Sequence, residues 1–266
     1  MEITTYIDNK MLAPSITQIS PSSLILFNIC PNQYKKMYIL REKTETEKGI
    51  AAYNGNAIHE TIQRFYMREK FDIKSLFEDW EYILKKTVHN SGLTVSQKQF
   101  NTILKDGVKT LQAFYDVQKE RSLLVKPIDV ELELRTLYKG IILTSRIDLI
   151  IKNKKENIEV IDFKTNWKAK TQNEVDSDLQ GLMCAWNYKQ FSGKDPYKVV
   201  FHFVKTKERV VMNELKYEIL FRAIDKLLTA EKNNRFPATP GNCDFCQYKK
   251  SCVAYTKKRK FYCKFT

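Results

Sequence analysis

Two aspartates interrupt apolar stretches of this sequence, and their positions predict a paired acidic site. Asp148 lies within the otherwise apolar segment 147–151, and Asp162 within the segment 160–163. A carboxylate in an apolar strand is costly unless it has a partner. The polar residues 153–157 predict a turn that lets the two strands pair and brings the aspartates together. Two converging carboxylates form a hard-oxygen site suited to Mg²⁺ or Mn²⁺.

Lys164 lies two residues after Asp162, so both side chains point to the same face of a strand. This set suits phosphodiester hydrolysis, in which a bound cation activates water and Lys164 positions that water or stabilises the transition state. A buried salt bridge of Asp162 with Lys164 or Arg146, without any metal, explains the same short D-x-K string. The residues alone leave both interpretations open.

His59 is a weaker candidate for the same site. It shares one face of a predicted helix with Ile62 and Tyr66, where a histidine is commonly an ordinary core or surface residue. If this face is turned towards the acids, the imidazole can complete a carboxylate metal site.

Three further polar residues have two interpretations each. Gln180 lies on the predicted helix after the Asp162 strand, where it is either a site residue or a solvated side chain. Glu131 and Glu133 share one face of the first predicted strand. Either could supply an additional acid, or both could belong to a solvated strand face.

The cysteines indicate a second metal site. Cys243, Cys246 and Cys252 form a tight C-x₂-C-x₅-C triplet, and Cys30, beside a proline at the end of the first predicted helix, is the candidate fourth ligand. Four thiolates bind either zinc or an iron–sulfur cluster. The remaining two of the six cysteines, Cys184 and Cys263, are interpreted as ordinary thiols.

Hydrophobic periodicity places these residues on a mixed α/β chain. Helices are predicted from Pro21 towards Cys30, after a turn at 53–56, over 71–119 with a break near 89–92, over 174–191 and over 213–232. Strands are predicted over 130–137, 140–151, 158–165, 197–204 and 210–212. This order favours one domain, 1–266, with a mixed sheet flanked by helices. Its parts are N-terminal helices (19–70), a helical insertion (71–126), a catalytic sheet core (127–212) and a C-terminal helix with the cysteine tail (213–266).

Composition narrows the class of protein. A formal net charge of +14 over 266 residues favours a polyanionic partner, although a lysine-rich source organism would also explain it. No apolar run approaches the ~20 residues of a membrane helix, and the N-terminus lacks the pattern of a secretory signal. We therefore expect a cytoplasmic protein that does not bind membranes.

In their order along the chain, these residues resemble the PD-(D/E)XK nuclease superfamily. The similarity is to its RecB-like branch with a four-cysteine iron–sulfur cluster, which includes the AddB nuclease domain and the CRISPR-adaptation exonuclease. Gly55-x₃-His59 is similar to the G-x₃-H motif, Asp148 to the first acid and Asp162-Phe163-Lys164 to the D/E-x-K core. Gln180 corresponds to the Q-x₃-Y glutamine, with Cys184 in place of the tyrosine. Ser145-Arg146 stands where the family usually has a glycine.

The resemblance implies a restriction-endonuclease-like fold and a role for each residue. His59, Asp148, Asp162 and the Phe163 carbonyl would bind Mg²⁺ or Mn²⁺, Lys164 would be catalytic, and Gln180 would contact the substrate or steady the site. A structural [4Fe–4S] cluster would be held by Cys30, Cys243, Cys246 and Cys252.

The implied activity is a DNA exonuclease acting on single-stranded or free ends. The implied settings are replication, recombination, repair or CRISPR adaptation, with protein partners from such a complex. Two alternatives remain: a catalytically inactive DNA-binding module that keeps the fold and the cluster, and a structural protein stapled by zinc.

Overall fold

The computed structural model describes residues 16–44, 50–92, 94–239, 243 and 246–255. Of residues 51 and 52 it describes only the main chain. Its strands are β1 (Gln18–Ile19), β2 (Asp129–Tyr138), β3 (Ile141–Lys152), β4 (Ile158–Lys164), β5 (Lys198–Phe203) and β6 (Glu208–Val211). Its α-helices are α1 (Pro21–Ile29), α2 (Pro31–Tyr34), α3 (Ile50–Tyr66), α4 (Ile73–Ser91), α5 (Gln97–Glu120), α6 (Gln172–Asp176), α7 (Leu179–Ser192) and α8 (Tyr217–Lys232). A π-helical turn, Lys35–Ile39, follows α2.

The strands form one mixed six-stranded sheet. Its order is β1-β3-β4-β5-β6, and β2 pairs with the other edge of β3. The hairpin β3–β4 is antiparallel, as the polar turn between them predicts, whereas β4 and β5 are parallel. A parallel pair needs a crossover connection, and α6 and α7 supply it. This crossover brings the start of α7 back to the end of β4.

Helices cover both faces of the sheet. On one face, α1, α7 and α8 bury Leu24, Leu182 and Ile224 against strand residues such as Phe201. On the opposite face, α3, α4 and α5 bury a second apolar cluster, in which the ring of Phe114 lies 5.6 Å from that of Phe163. The segment predicted as a helical insertion therefore covers one face of the sheet itself.

The predicted turn at 53–56 is wrong, because α3 begins at Ile50 and runs through this segment. Asn-Gly is a turn signal when only neighbouring residues are considered. Here Gly55 has a packing role instead, since a Cβ at this position would lie 3.1 Å from the Thr165 Oγ1. The glycine lets the helix approach the loop that follows β4.

The single helix predicted over 174–191 is also wrong, because it is divided into α6 and α7. The division falls at Asp178, whose carboxylate accepts hydrogen bonds from the backbone N–H groups of Gln180 and Gly181. Such a cap begins a new helix. Strands β2 to β6 and the break after α4 lie close to their predicted positions, whereas the two-residue strand β1 was not predicted.

Candidate active site

Asp148 and Asp162 meet where the β3–β4 hairpin stops pairing. The paired register ends at Leu149 and Ile161, so the aspartates occupy the next step of the two strands. The Asp148 Oδ2 instead accepts a hydrogen bond of 2.7 Å from the Phe163 backbone N–H. The two acids that interrupt the apolar strands are therefore held side by side in the sheet, and the side chains of both are largely buried.

Two further potential metal ligands, His59 and Glu131, converge on Asp148. Single ligand atoms of His59, Glu131 and Asp148 lie within 4.8 Å of one another. The Nδ1 of His59, which α3 carries, is 3.4 Å from the Asp148 Oδ2. Burial lowers the pKa of His59, and although the charge of Asp162 opposes this effect, the balance favours a neutral imidazole. A neutral imidazole is the form that can bind a metal ion.

The structure distinguishes the two glutamates that the sequence left equivalent. Glu133 is exposed and pairs with Arg135 at 2.7 Å. Glu131 lies opposite Asp148 with a left-handed φ of +56°. A non-glycine residue in this conformation costs about 1–3 kcal/mol, and such strain often accompanies functional sites. This backbone conformation, which no residue pattern signals, accompanies the placement of the Glu131 carboxylate beside His59 and Asp148.

Asp162, Lys164 and Gln180 form a second group beside the first. The Lys164 Nζ lies 2.8 Å from the Asp162 Oδ2 and donates to the Gln180 Oε1 at 2.7 Å. The Gln180 Nε2 donates to the Asp162 Oδ1 at 2.5 Å. The structure therefore contains the Asp162–Lys164 ion pair that the sequence offered as an alternative to a metal site, and adds Gln180 to it.

The site concentrates negative charge in a buried place. Burial raises the pKa of Asp148 well above its usual range, and the charges of Asp162 and Glu131 raise it further. Burial also raises the pKa of Glu131, against the opposing effect of Arg146. Burial alone would lower the pKa of Lys164, but the charge of Asp162 outweighs it and keeps this amine protonated.

A surface groove leads to these acids. Its walls include Ser22 and Ile25 of α1 and Glu133, Arg146 and Asp148 of the sheet. The groove leaves Asp148 accessible from one side, although the aspartate itself is largely buried. A linear polymer lying in it would pass beside the carboxylates.

The four cysteines of the predicted second site line one cavity between the end of α1 and the C-terminal tail. They are Cys30, Cys243, Cys246 and Cys252. Burial raises the pKa of Cys246, and the charges of the other three cysteines add to the effect. Within the described part of the chain, no three cysteine sulfurs lie within 4.8 Å of one another. Cys184 is buried elsewhere and contacts the Arg146 carbonyl, and Cys263 lies outside the described residues.

None of the helices that the structure describes has both the length and the apolar character needed to cross a bilayer.

Comparisons with known proteins identify the family. The sequence matches the model of the PD-(D/E)XK nuclease superfamily over residues 18–253. A crystal structure from Eubacterium rectale, of a protein named as a candidate exonuclease, is 12% identical with a TM-score of 0.54 and covers 93% of each chain. The crystal structure of SSO0001 is 14% identical with a TM-score of 0.44, over 90% of this chain and 87% of that one. No curated protein matches the sequence significantly.

The mixed six-stranded sheet flanked by helices confirms the predicted restriction-endonuclease-like fold. The family match covers every predicted site residue, from Cys30 to Cys252. The chain belongs to the PD-(D/E)XK nuclease superfamily.

Proposed function

We propose that this protein is a Mg²⁺- or Mn²⁺-dependent exonuclease acting on single-stranded DNA ends. The observation that carries the proposal is the convergence of His59, Glu131 and Asp148 beside the Asp162–Lys164 pair. The net charge of +14 suits a nucleic-acid partner. The setting we propose is cytoplasmic DNA replication, recombination, repair or CRISPR adaptation, together with the proteins of such a complex.

The donor set fits a hard divalent cation. The buried Asp162 Oδ2 contacts the Lys164 ammonium at 2.8 Å and has no other hydrogen-bond partner among the described residues. A cation would also offset the electrostatic cost of burying three neighbouring carboxylates, those of Glu131, Asp148 and Asp162. We propose that His59, Asp148, Asp162 and the Phe163 carbonyl hold the ion, with Glu131 as a further acid. When bound, it would activate a water molecule and neutralise charge on the scissile phosphate.

The side chains beside this position have separate roles in the proposal. The protonated Lys164 orients the attacking water and stabilises the charge that develops on the phosphate. Gln180 is a positioning residue. Its side-chain amide forms hydrogen bonds with both Lys164 and Asp162, and these bonds fix the separation of the two side chains. The groove beside Asp148 receives the strand.

Cleavage of end-labelled single-stranded DNA in the presence of Mn²⁺ tests the proposal. Asp162→Ala and Lys164→Ala are expected to abolish cleavage while most DNA binding remains. Glu131→Gln is expected to reduce cleavage and to raise the Mn²⁺ concentration required. The matched control, Glu156→Gln, should cleave like the wild type, because Glu156 is exposed, pairs with Lys152 and lies in the turn at the far end of the β3–β4 hairpin.

The same assay distinguishes the alternatives. Circular single strands should stay intact, and their cleavage would indicate an endonuclease. Cleavage by Asp162→Ala at the wild-type rate would overturn the assignment of the site. A wild-type protein that binds DNA without cleaving it under any divalent ion would instead be the catalytically inactive DNA-binding module.

We also propose that Cys30, Cys243, Cys246 and Cys252 hold a structural [4Fe–4S] cluster, with zinc as the alternative. The shared cavity supports a common metal group. A single tetrahedral zinc ion would hold its sulfurs about 3.8 Å apart. An iron–sulfur cluster takes the same four thiolates, and the metal content of the purified protein distinguishes the two groups.

A further inference from the structure

We propose that Trp167 is a stacking platform for an unpaired base of the strand that occupies the catalytic site. The inference rests on the proposed nuclease function and specifies how the substrate is recognised. Three features of the structure carry it: the exposure of the indole, its place at the edge of the sheet and the cations around it.

The exposure of Trp167 is unlike that of the other tryptophans. Its side chain is 75% exposed, the largest fraction among the large apolar side chains that the structure describes, whereas Trp80 is fully buried. Trp186 packs against the rings of Tyr217 and Phe221. An indole left in water forgoes a large gain from burial, and tryptophan is enriched where proteins bind a partner.

Trp167 lies close to the catalytic lysine. It stands in the loop directly after β4, and three steps of about 3.8 Å limit the Cα separation from Lys164 to about 11 Å. The parallel strands β4 and β5 end at the same edge of the sheet, where the Val204 N–H donates to the Lys164 carbonyl at 3.0 Å. Lys205 follows at this edge, so the loop and the strand end bring Trp167 and Lys205 together beside Lys164.

The surroundings of the indole suit a nucleic-acid strand. The Lys205 Nζ lies 4.1 Å from the centre of the Trp167 ring, and the neighbouring Lys168 is exposed. A cation over the ring orients the indole, and its exposed surface leaves room for a base. Proteins that bind single strands combine aromatic side chains with positive charge in this way.

This chemistry selects unpaired bases. In a duplex each base is already stacked between its neighbours, whereas a single strand can place a base on the indole. The lysines would contact the adjacent phosphates. Stacking on Trp167 would therefore favour single-stranded ends and hold the terminal nucleotides beside the metal ligands.

Binding of a short oligothymidylate in the presence of a chelator tests the inference without cleavage. Loss of one stacked base weakens binding by roughly 5- to 150-fold, so Trp167→Ala should weaken binding by such a factor, while Trp167→Phe retains much of the affinity. An abasic strand of equal length should bind wild type and Trp167→Ala equally. Phe191→Ala is the matched control, because Phe191 is another exposed aromatic residue, at the far end of α7.

Tryptophan fluorescence supplies an independent measurement. The oligothymidylate should quench the indole emission of the wild type but not that of Trp167→Phe, and the abasic strand should quench neither. Unchanged affinity of Trp167→Ala, or an equal loss with the abasic strand, would overturn the inference. A wild type that binds and is quenched but cleaves nothing would overturn the nuclease proposal and leave the stacking contact standing.

Discussion

At the scale of single residues, the site is defined by carboxylates that the fold buries next to one another. Asp148 is the central case, because its oxygen contacts the Phe163 amide and the His59 imidazole while Asp162 and Glu131 surround it with negative charge. Without a cation, this arrangement destabilises the ionised folded state. The buried charge should therefore be measurable as a dependence of stability on pH.

The raised pKa of Asp148 fixes the sign of that dependence. The folded, metal-free protein binds the Asp148 proton more tightly than the unfolded chain, where the pKa is 3.8. The stabilising effect of this proton is complete below pH 3.8 and is lost as the pH rises through the folded pKa. At neutral pH the ionised, buried carboxylate then lowers the free energy of unfolding.

Asp148→Asn should consequently melt at a higher temperature than the wild type at neutral pH in a chelator. The asparagine side chain can still accept a hydrogen bond from the Phe163 N–H, but it carries no charge. Each unit of pKa elevation corresponds to about 1.4 kcal/mol, or about 3–6 °C in melting temperature. The difference should shrink as the pH is lowered towards 4, and Mn²⁺ should stabilise the wild type more than the variant. A difference that does not vary with pH would contradict this account.

At the scale of elements, the site depends on where strands stop pairing and where a helix starts. The hairpin holds the two aspartates, and the start of α7 holds Gln180 beside Asp162 and Lys164. Asp178 determines that start through hydrogen bonds of 2.9 and 3.0 Å from the backbone of Gln180 and Gly181. Its carboxylate also pairs with Lys170.

Asp178→Ala should therefore lower both stability and activity. Loss of a helix cap costs about 0.5–2 kcal/mol, which corresponds to a fall in melting temperature of roughly 1–8 °C. Cleavage should fall as well, because Gln180 would no longer be held against Lys164. Asp178→Asn keeps the cap but not the charge, so it should restore most of both. Equal losses in the two variants would show that the ion pair with Lys170 matters rather than the cap.

At the scale of the whole molecule, the N-terminal helices are tied to the C-terminal tail. The Asn32 N–H donates to the Pro237 carbonyl at 3.2 Å, and the Tyr248 hydroxyl donates to the Glu42 carbonyl at 3.0 Å. The cavity of the four cysteines lies at the same junction. A metal group held there would join segments that are far apart in sequence, and such sites contribute directly to folding.

Cys246→Ala should lower the melting temperature by several degrees and remove the broad visible absorption that anaerobically purified protein is expected to show. Cys184→Ala is the matched control, because Cys184 lies apart from the cavity. The visible absorption of this variant should persist. A colourless wild type that contains zinc would establish the alternative metal. An unchanged melting temperature of Cys246→Ala would show that the cysteines do not staple the fold.

The sequence by itself determined strands β2 to β6 and the superfamily, because both depend on local signals. Alternation of apolar and polar residues predicts β2, and runs of apolar residues predict β3 and β4. A charged residue within an apolar run marks Asp148 and Asp162 wherever the strands lie. The fixed spacing of Asp162 and Lys164 on one strand likewise predicts that they share a face. The order of these short motifs was enough to predict the fold that the structure has.

Only the tertiary structure decided between residues with the same local pattern. Glu131 and Glu133 occupy equivalent positions in the alternating pattern of β2. In the structure Glu131 is partly buried beside His59 and Asp148 with a left-handed backbone, whereas Glu133 is exposed and pairs with Arg135. Gly55 has the sequence context of a turn, yet it lies inside a helix that passes close to the side chain of Thr165, a residue distant in sequence. Such choices depend on which segments meet in space, and the energies of those contacts exceed the local preferences from which sequence patterns are read.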